Sequence, residues 1–260
     1  MKALIGLLLL AWTAAAQPVE RELARLDAVQ KATEAAEMPE MLRGEVAPAR
    51  DVLTAAQKAE GVERLYRLRN AFVFVETLAF VREHRNAVDS LDILTELWKT
   101  NVPKASVSPR NSLLEAALLQ SAVNRSEKLY RASLPYGKAS SPIGGLYYLA
   151  ESLANARFAA FVASLPQSAE REAVPETKVL RSALEVLEAE TLRLLAKDVT
   201  SQEMIRPSVK LKEARELLDA GRDAGAALLL VEARVALKLE PDANATGALM
   251  PIDTALRRPR

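Results

Sequence analysis

The stretch Arg69-Asn-Ala-Phe-Val-Phe-Val-Glu-Thr-Leu-Ala-Phe-Val-Arg-Glu-His84 decides the fold class. Its middle, Ala71-Phe-Val-Phe-Val75, has the β-branched and aromatic residues of a strand. The polar residues around it argue otherwise. Arg69 and Asn70, Glu76 and Thr77, and Glu83 and His84 recur at intervals of seven, which places them on one narrow stripe of a helix. No strand produces that spacing, because its side chains change face at every residue. From Ala71 to Val81 only Glu76 and Thr77 are polar, so this helix is apolar on nearly all sides and is expected to be central.

The same reading extends outward. Half of the 260 residues are hydrophobic, 27% are charged, only 9 are glycine, and apolar runs with strand alternation are scarce. That composition predicts an all-α chain, a helical bundle of about seven to eight helices with a C-terminal helical hairpin. The first helix is expected over 18–37, with Val19, Leu23 and Leu26 recurring at helical spacing. Pro39 and Gly44 mark a connection. A long helical region follows from Pro48 to Asn101, bent or broken at Gly61 and near Asn86. Ser108-Pro109 and Ser141-Pro142 each place a capping hydroxyl before a proline at a first helical position, which predicts helices to about Ala132 and Leu165. The Pro-, Gly- and Ser-rich segment 134–145 between them is the clearest loop.

Beyond Pro166 the composition changes. Past the first sixteen residues, every aromatic side chain lies between Tyr66 and Phe161. The expected organisation is a leader over 1–16, an aromatic-containing bundle over 17–165, an aromatic-free helical hairpin region over 166–241 and a loosely held tail over 242–260. The second half is expected to carry a helix over 175–198 and a start signalled by the capping-box spacing of Thr200 and Glu203. Pro207 then resets the helix, and a hairpin turns at Gly221-Arg-Asp-Ala-Gly225. Ala236-Leu-Lys-Leu-Glu-Pro241 resembles the end of a tetratricopeptide repeat, where an Ala-Leu pair precedes the proline that stops the second helix. Upstream, Leu229 and Ala233 depart from that pattern, no second copy recurs at the repeat's period, and no binding residues are carried over from it.

Residues 1–16, Met-Lys-Ala-Leu-Ile-Gly-Leu-Leu-Leu-Leu-Ala-Trp-Thr-Ala-Ala-Ala, have one basic residue, an apolar run and small residues at the end, the layout of a secretory signal peptide. Cleavage is expected between Ala16 and Gln17, giving a periplasmic or secreted protein with no membrane span afterwards. Loss of Lys2 with the leader leaves acidic and basic residues equal in number. A neutral chain lacks the cationic excess that nucleic-acid binding needs, so no nucleic-acid partner is expected.

Several chemistries are excluded by composition. With no cysteine there is no thiolate metal site, disulfide or cysteine nucleophile, and a single histidine closes multi-imidazole sites to one chain. No serine-nucleophile, phosphate-loop or calcium-loop spacing is present. No catalytic residue, metal site or cofactor is therefore expected. The candidates that remain are binding residues. Glu76 has no basic partner three or four positions away and needs one from another helix, or a proton, if it is buried. Tyr148, Glu151, Ser152 and Asn155 share one helical face, with Arg157 nearby. The two stripes either face each other across a polar groove or form the solvated faces of their own helices. Tyr136 and Lys138 are candidates at the loop tip, and His84 is read as an exposed helix-end histidine.

The arginines around Tyr66 (Arg64, Arg67 and Arg69) and the tail residues Arg257, Arg258 and Arg260 are read as solvated charge. Asn124-Arg-Ser126 and Asn244-Ala-Thr246 match the three-residue glycosylation acceptor pattern. The functional expectation is a non-enzymatic interaction or scaffold module with a protein partner. The alternative is a binding protein for a small apolar or amphipathic ligand held in the 66–161 bundle among Phe72, Phe74, Phe80, Tyr147, Tyr148, Phe158 and Phe161.

Overall fold

A computed structural model describes residues 2–36, 40–85, 91–101, 112–138, 142–166, 173–196, 201–241 and 249–257. Among them the chain is all-α, a helical bundle without strands. Ten α-helices are present: α1 (Lys2–Glu34), α2 (Glu40–Lys58), α3 (Gly61–His84), α4 (Leu91–Asn101), α5 (Leu113–Ser133), α6 (Pro142–Ala163), α7 (Thr177–Leu195), α8 (Ser201–Asp219), α9 (Asp223–Ala236) and α10 (Met250–Arg257). A short 3-10 helix, Leu134–Lys138, follows α5. Among the described residues no helix is long and apolar enough to cross a membrane.

The helices outnumber the expected seven to eight because the chain breaks fully at Gly61, where φ is 55°, because α4 stands apart from α3, and because the tail adds α10. Two boundaries drawn at prolines are also corrected. Helix α2 starts at Glu40 and runs through Gly44 and Pro48, and α8 starts at Ser201 and runs through Pro207. Each proline removes one backbone hydrogen bond. Packing overrides that loss: Leu42, Ala49, Leu53 and Ala56 on α2, and Met204, Leu211, Ala214 and Leu218 on α8, are buried at helical spacing. Ser108-Pro109 lies outside the described residues. The described start of α5 is instead a capping box, in which Ser112 Oγ accepts from the Glu115 N–H and Glu115 accepts from the Ser112 N–H. Pro142 is the first helical residue of α6, as expected, which moves Gly144 and Gly145 from the loop into the helix.

The chain divides into two compact units, 1–106 with 122–169 and 107–121 with 170–260. In the first unit α3 packs against α1, α2 and α6, and α6 in turn carries α4 and the 3-10 helix. Leu68, Val75 and Leu78 of α3 and Leu146, Leu149, Leu153 and Phe158 of α6 are essentially inaccessible. Fully burying side chains of this size stabilises by about 1.5–3 kcal/mol each. Phe72 meets Phe158 edge to face with ring centres 5.7 Å apart, and Phe161 completes the cluster.

In the second unit α9 is central, buried continuously from Ala224 to Arg234, with α7, α8 and α10 packed on it. The α8–α9 turn is made by Gly221, whose φ of 68° lets the Gly221 and Arg222 N–H groups bond back to Leu218 and Leu217. Gly225 is inside α9 and has a different use. Its N–H donates to Gln120 Oε1 at 2.7 Å, and a Cβ there would come within 3.0 Å of the Gln120 Cβ. Helix α9 ends by the same kind of turn, with Lys238 at φ 59° and Leu239 N–H bonded to the Arg234 carbonyl. The helix therefore stops before Pro241, and the proline is not what stops it.

The loosely held tail expected over 242–260 is also corrected for its described part. Leu249 and Ile252 are buried, and Asp253 of α10 forms an ion pair with Arg234 of α9 at 3.0 Å. Arg257 joins the pair by donating to Asp253 at 3.0 Å and to the Leu239 carbonyl.

Candidate functional site

Glu76 sits one turn from the middle of α3, where the helix is buried on most sides. Its side chain is only 9% exposed, and its charge is met from two other helices. Arg25 of α1 lies 2.5 Å from Oε1, and Arg157 of α6 donates to Oε2 at 3.0 Å. Arg25 also pairs with Glu22 and lies over the Phe72 ring, 5.3 Å from its centre. Burial works against the Arg25 charge, but Glu22 and Glu76 outweigh it and hold its pKa above the ordinary arginine value. The carboxylate is thus a three-helix junction, and its ion pairs leave both arginines in contact with water.

Only Arg157 of the expected α6 stripe reaches Glu76. Tyr148, Glu151 and Ser152 turn to the second half of α5 and to the 3-10 helix. Ser152 donates to the Ser126 carbonyl at 2.7 Å, and Glu151 accepts from Arg125 at 3.3 Å. Asn155 bonds locally to the Glu151 carbonyl at 2.8 Å. Tyr148 meets Tyr136 with ring centres 5.3 Å apart. The hydrogen bond between these two phenols, followed by their mutual charge and burial, pushes the Tyr148 pKa up. The pKa of Tyr147 is raised mainly by burial. The two polar stripes therefore neither form one groove nor stay wholly in solvent. One closes a junction around Glu76, and the other forms a polar and aromatic seam along α5 and α6.

Of the two loop-tip residues, Tyr136 belongs to this seam, while Lys138 ends the 3-10 helix and its side chain lies outside the described ones. His84 stacks at an angle on Phe80, 4.3 Å between ring centres, and is half-buried. Among the described residues no group of three or more His, Asp or Glu is placed to hold a metal ion. Arg64 pairs with Glu20 of α1, whereas Arg67 pairs with Glu63 and Arg69 lies over Tyr66 within one turn of α3, so this basic cluster is engaged rather than simply solvated. Asn124 lies inside α5, half-buried, while Asn244, Arg258 and Arg260 lie outside the described residues.

Three participants had little or no local signal in the sequence. Arg25 is 51 positions from Glu76, and only its place between the apolar Leu23 and Leu26 marks it as lying at the edge of a buried face. Arg125 is 26 positions from Glu151 and lies between the polar Asn124 and Ser126. Trp98 of α4 stacks on Tyr130 of α5 nearly in parallel, 3.9 Å between centres, and neither residue belongs to a local motif. Comparison of the chain with protein-family models, with curated proteins and with solved structures returns no match.

Proposed function

We propose that this chain is exported with residues 1–16 acting as a cleaved leader, and that it works without catalysis as a helical interaction module. One observation carries the reading. The exposed large aliphatic side chains of the second unit include Val186 and Leu192 on α7, at 64% and 68% exposure, and Ile205 and Val209 on α8. Aliphatic residues this exposed, on helices whose other faces are buried, suit a surface covered by another protein. In the first unit the comparable aromatic residues are turned on one another, which supports a structural role for them.

The test is cross-linking in periplasmic extract with the full chain and with a Leu192→Asp, Ile205→Asp variant. The expected result is a discrete cross-linked species lost in the variant while its melting temperature stays unchanged. Identical cross-linking by both proteins, or none by either, would overturn the reading.

The alternative, a small amphipathic ligand held by the first unit, draws support from the half-exposed Tyr136–Tyr148 pair beside Glu151 and Arg125. It expects Tyr148→Ala to abolish saturable quenching of tyrosine fluorescence by ligand. Unaltered quenching in that variant would count against it.

A further inference from the structure

Pro18 lies within α1, and the two residues before it are helical as well. A proline at this place removes the hydrogen bond to the Ala14 carbonyl and crowds it. Gln17 is also held helical directly before a proline, a conformation that the proline ring disfavours. Both conflicts vanish if the chain is cut between Ala16 and Gln17, the cleavage proposed above, on which this inference rests. Pro18 then becomes the first residue of the helix, where its fixed φ is favourable and its missing N–H is not needed. Gln17 becomes the flanking residue with extended backbone. Glu20 falls in the first turn, where a carboxylate complements the helix dipole.

The shortened helix keeps its anchors. Leu23, Leu26, Gln30 and Thr33 are buried, and Glu20 and Arg25 hold their partners on α3, all beyond the cut. What remains unfavourable is the new α-ammonium of Gln17, a positive charge at the positive end of the helix dipole.

We infer that Gln17 of the mature chain is a modification site and closes to pyroglutamate. The neutral α-amine attacks the side-chain carboxamide carbon. The new bond joins the α-nitrogen to Cδ, the bond from Cδ to the amide nitrogen breaks, and the proton lost by the amine leaves with that nitrogen as ammonia. No oxidant or co-reactant is consumed. The amine is competent because its pKa of about 8 leaves part of it neutral at physiological pH. The ring closes between groups already held on one residue. The product is an uncharged lactam, which removes the misplaced positive charge and leaves no free amine at the start of α1.

The experiment is export of the full chain from a bacterium, followed by intact-mass and N-terminal peptide analysis of the mature protein, beside a Gln17→Asn variant. Asparagine is one methylene too short to form the five-membered lactam. The expected result is a chain starting at position 17 that is lighter by one ammonia and unreactive to α-amine labels, with the variant fully labelled. A mature chain that starts at Gln17 and keeps its free amine after storage at neutral pH overturns the inference while leaving the cleavage reading intact. A chain starting elsewhere, or retained with residues 1–16, overturns the cleavage reading and the inference with it.

Discussion

Each unit contains a carboxylate held by two arginines, but the arginines differ in their access to water. Around Glu76 in the first unit, the Arg25 and Arg157 side chains are 43% and 41% exposed. Around Asp253 in the second unit, Arg234 is 4% exposed and Asp253 itself is inaccessible. An ion pair's gross attraction says little about the cost of breaking it. That cost depends on whether the group left behind can be rehydrated. Arg25 and Arg157 can turn to solvent without moving a helix. Arg234 belongs to α9, the most enclosed helix of its unit, and has no such route.

The largest expected effect follows from that difference. Asp253→Ala removes the inaccessible carboxylate that Arg234 meets at 3.0 Å in a site closed to water, and a loss of about 3–5 kcal/mol is expected in denaturant unfolding. A loss below that of the Glu76 variant would break the comparison. Next comes Gly225→Ala, which tests how tightly α9 is held by its neighbours. Helix propensity alone favours alanine by about 0.5–1 kcal/mol. The close approach of Gln120, Leu217 and Ser121 predicts the opposite sign, a loss of about 1–3 kcal/mol. A stabilised variant would mean that the surroundings of α9 yield easily.

Glu76→Gln is expected to cost about 1–2 kcal/mol, toward the lower end for hydrogen bonds to charged groups, because both partner arginines can turn to water. An unchanged melting temperature would reduce this junction to an ordinary surface pair.

The smallest effect marks the exposed limit of the series. Arg50 lies beside Glu34 at 2.6 Å on the surface of the first unit, and this contact, with help from Gln30, holds the Glu34 pKa below its ordinary value. A lowered carboxylate pKa contributes stability that is present above the unfolded value of about 4.3 and is lost as pH falls through the folded one. Arg50→Gln should raise the Glu34 titration midpoint, followed by carboxyl NMR, with little change in melting temperature at neutral pH. An unmoved midpoint would mean that Arg50 is not the source of the shift.

Much of the architecture was legible because it is written in local periodicity. The seven-residue recurrence around Glu76 separated helix from strand although the residue types of 71–75 favoured a strand. The break at Gly61 and the start of α6 at Pro142 were legible for the same reason, since φ restrictions act on the residue itself. The misplaced boundaries at Pro48 and Pro207 share one cause. A proline's cost is local, but the buried faces that outweigh it on α2 and α8 involve other helices. The hairpin turn at Gly221 was readable from glycine chemistry, whereas the close approach at Gly225 depends on Gln120, more than a hundred positions away.

The candidate site divides in the same way. That Glu76 would need a partner from another helix followed from its own neighbours, since none of them is basic. That the partners are Arg25 and Arg157, and that Tyr148 and Glu151 turn instead to Tyr136 and Arg125, required the packing.

By itself the sequence determined the helical class, the central place of α3 and the polarity of each stripe. These depend on covalent geometry and on spacings within one or two helical turns. Only the tertiary structure decided which helices share Glu76, how Asp253 ties α10 to α9 and where aliphatic side chains stay exposed. Those outcomes depend on which distant surfaces come into contact and exclude water, and no local spacing encodes that choice.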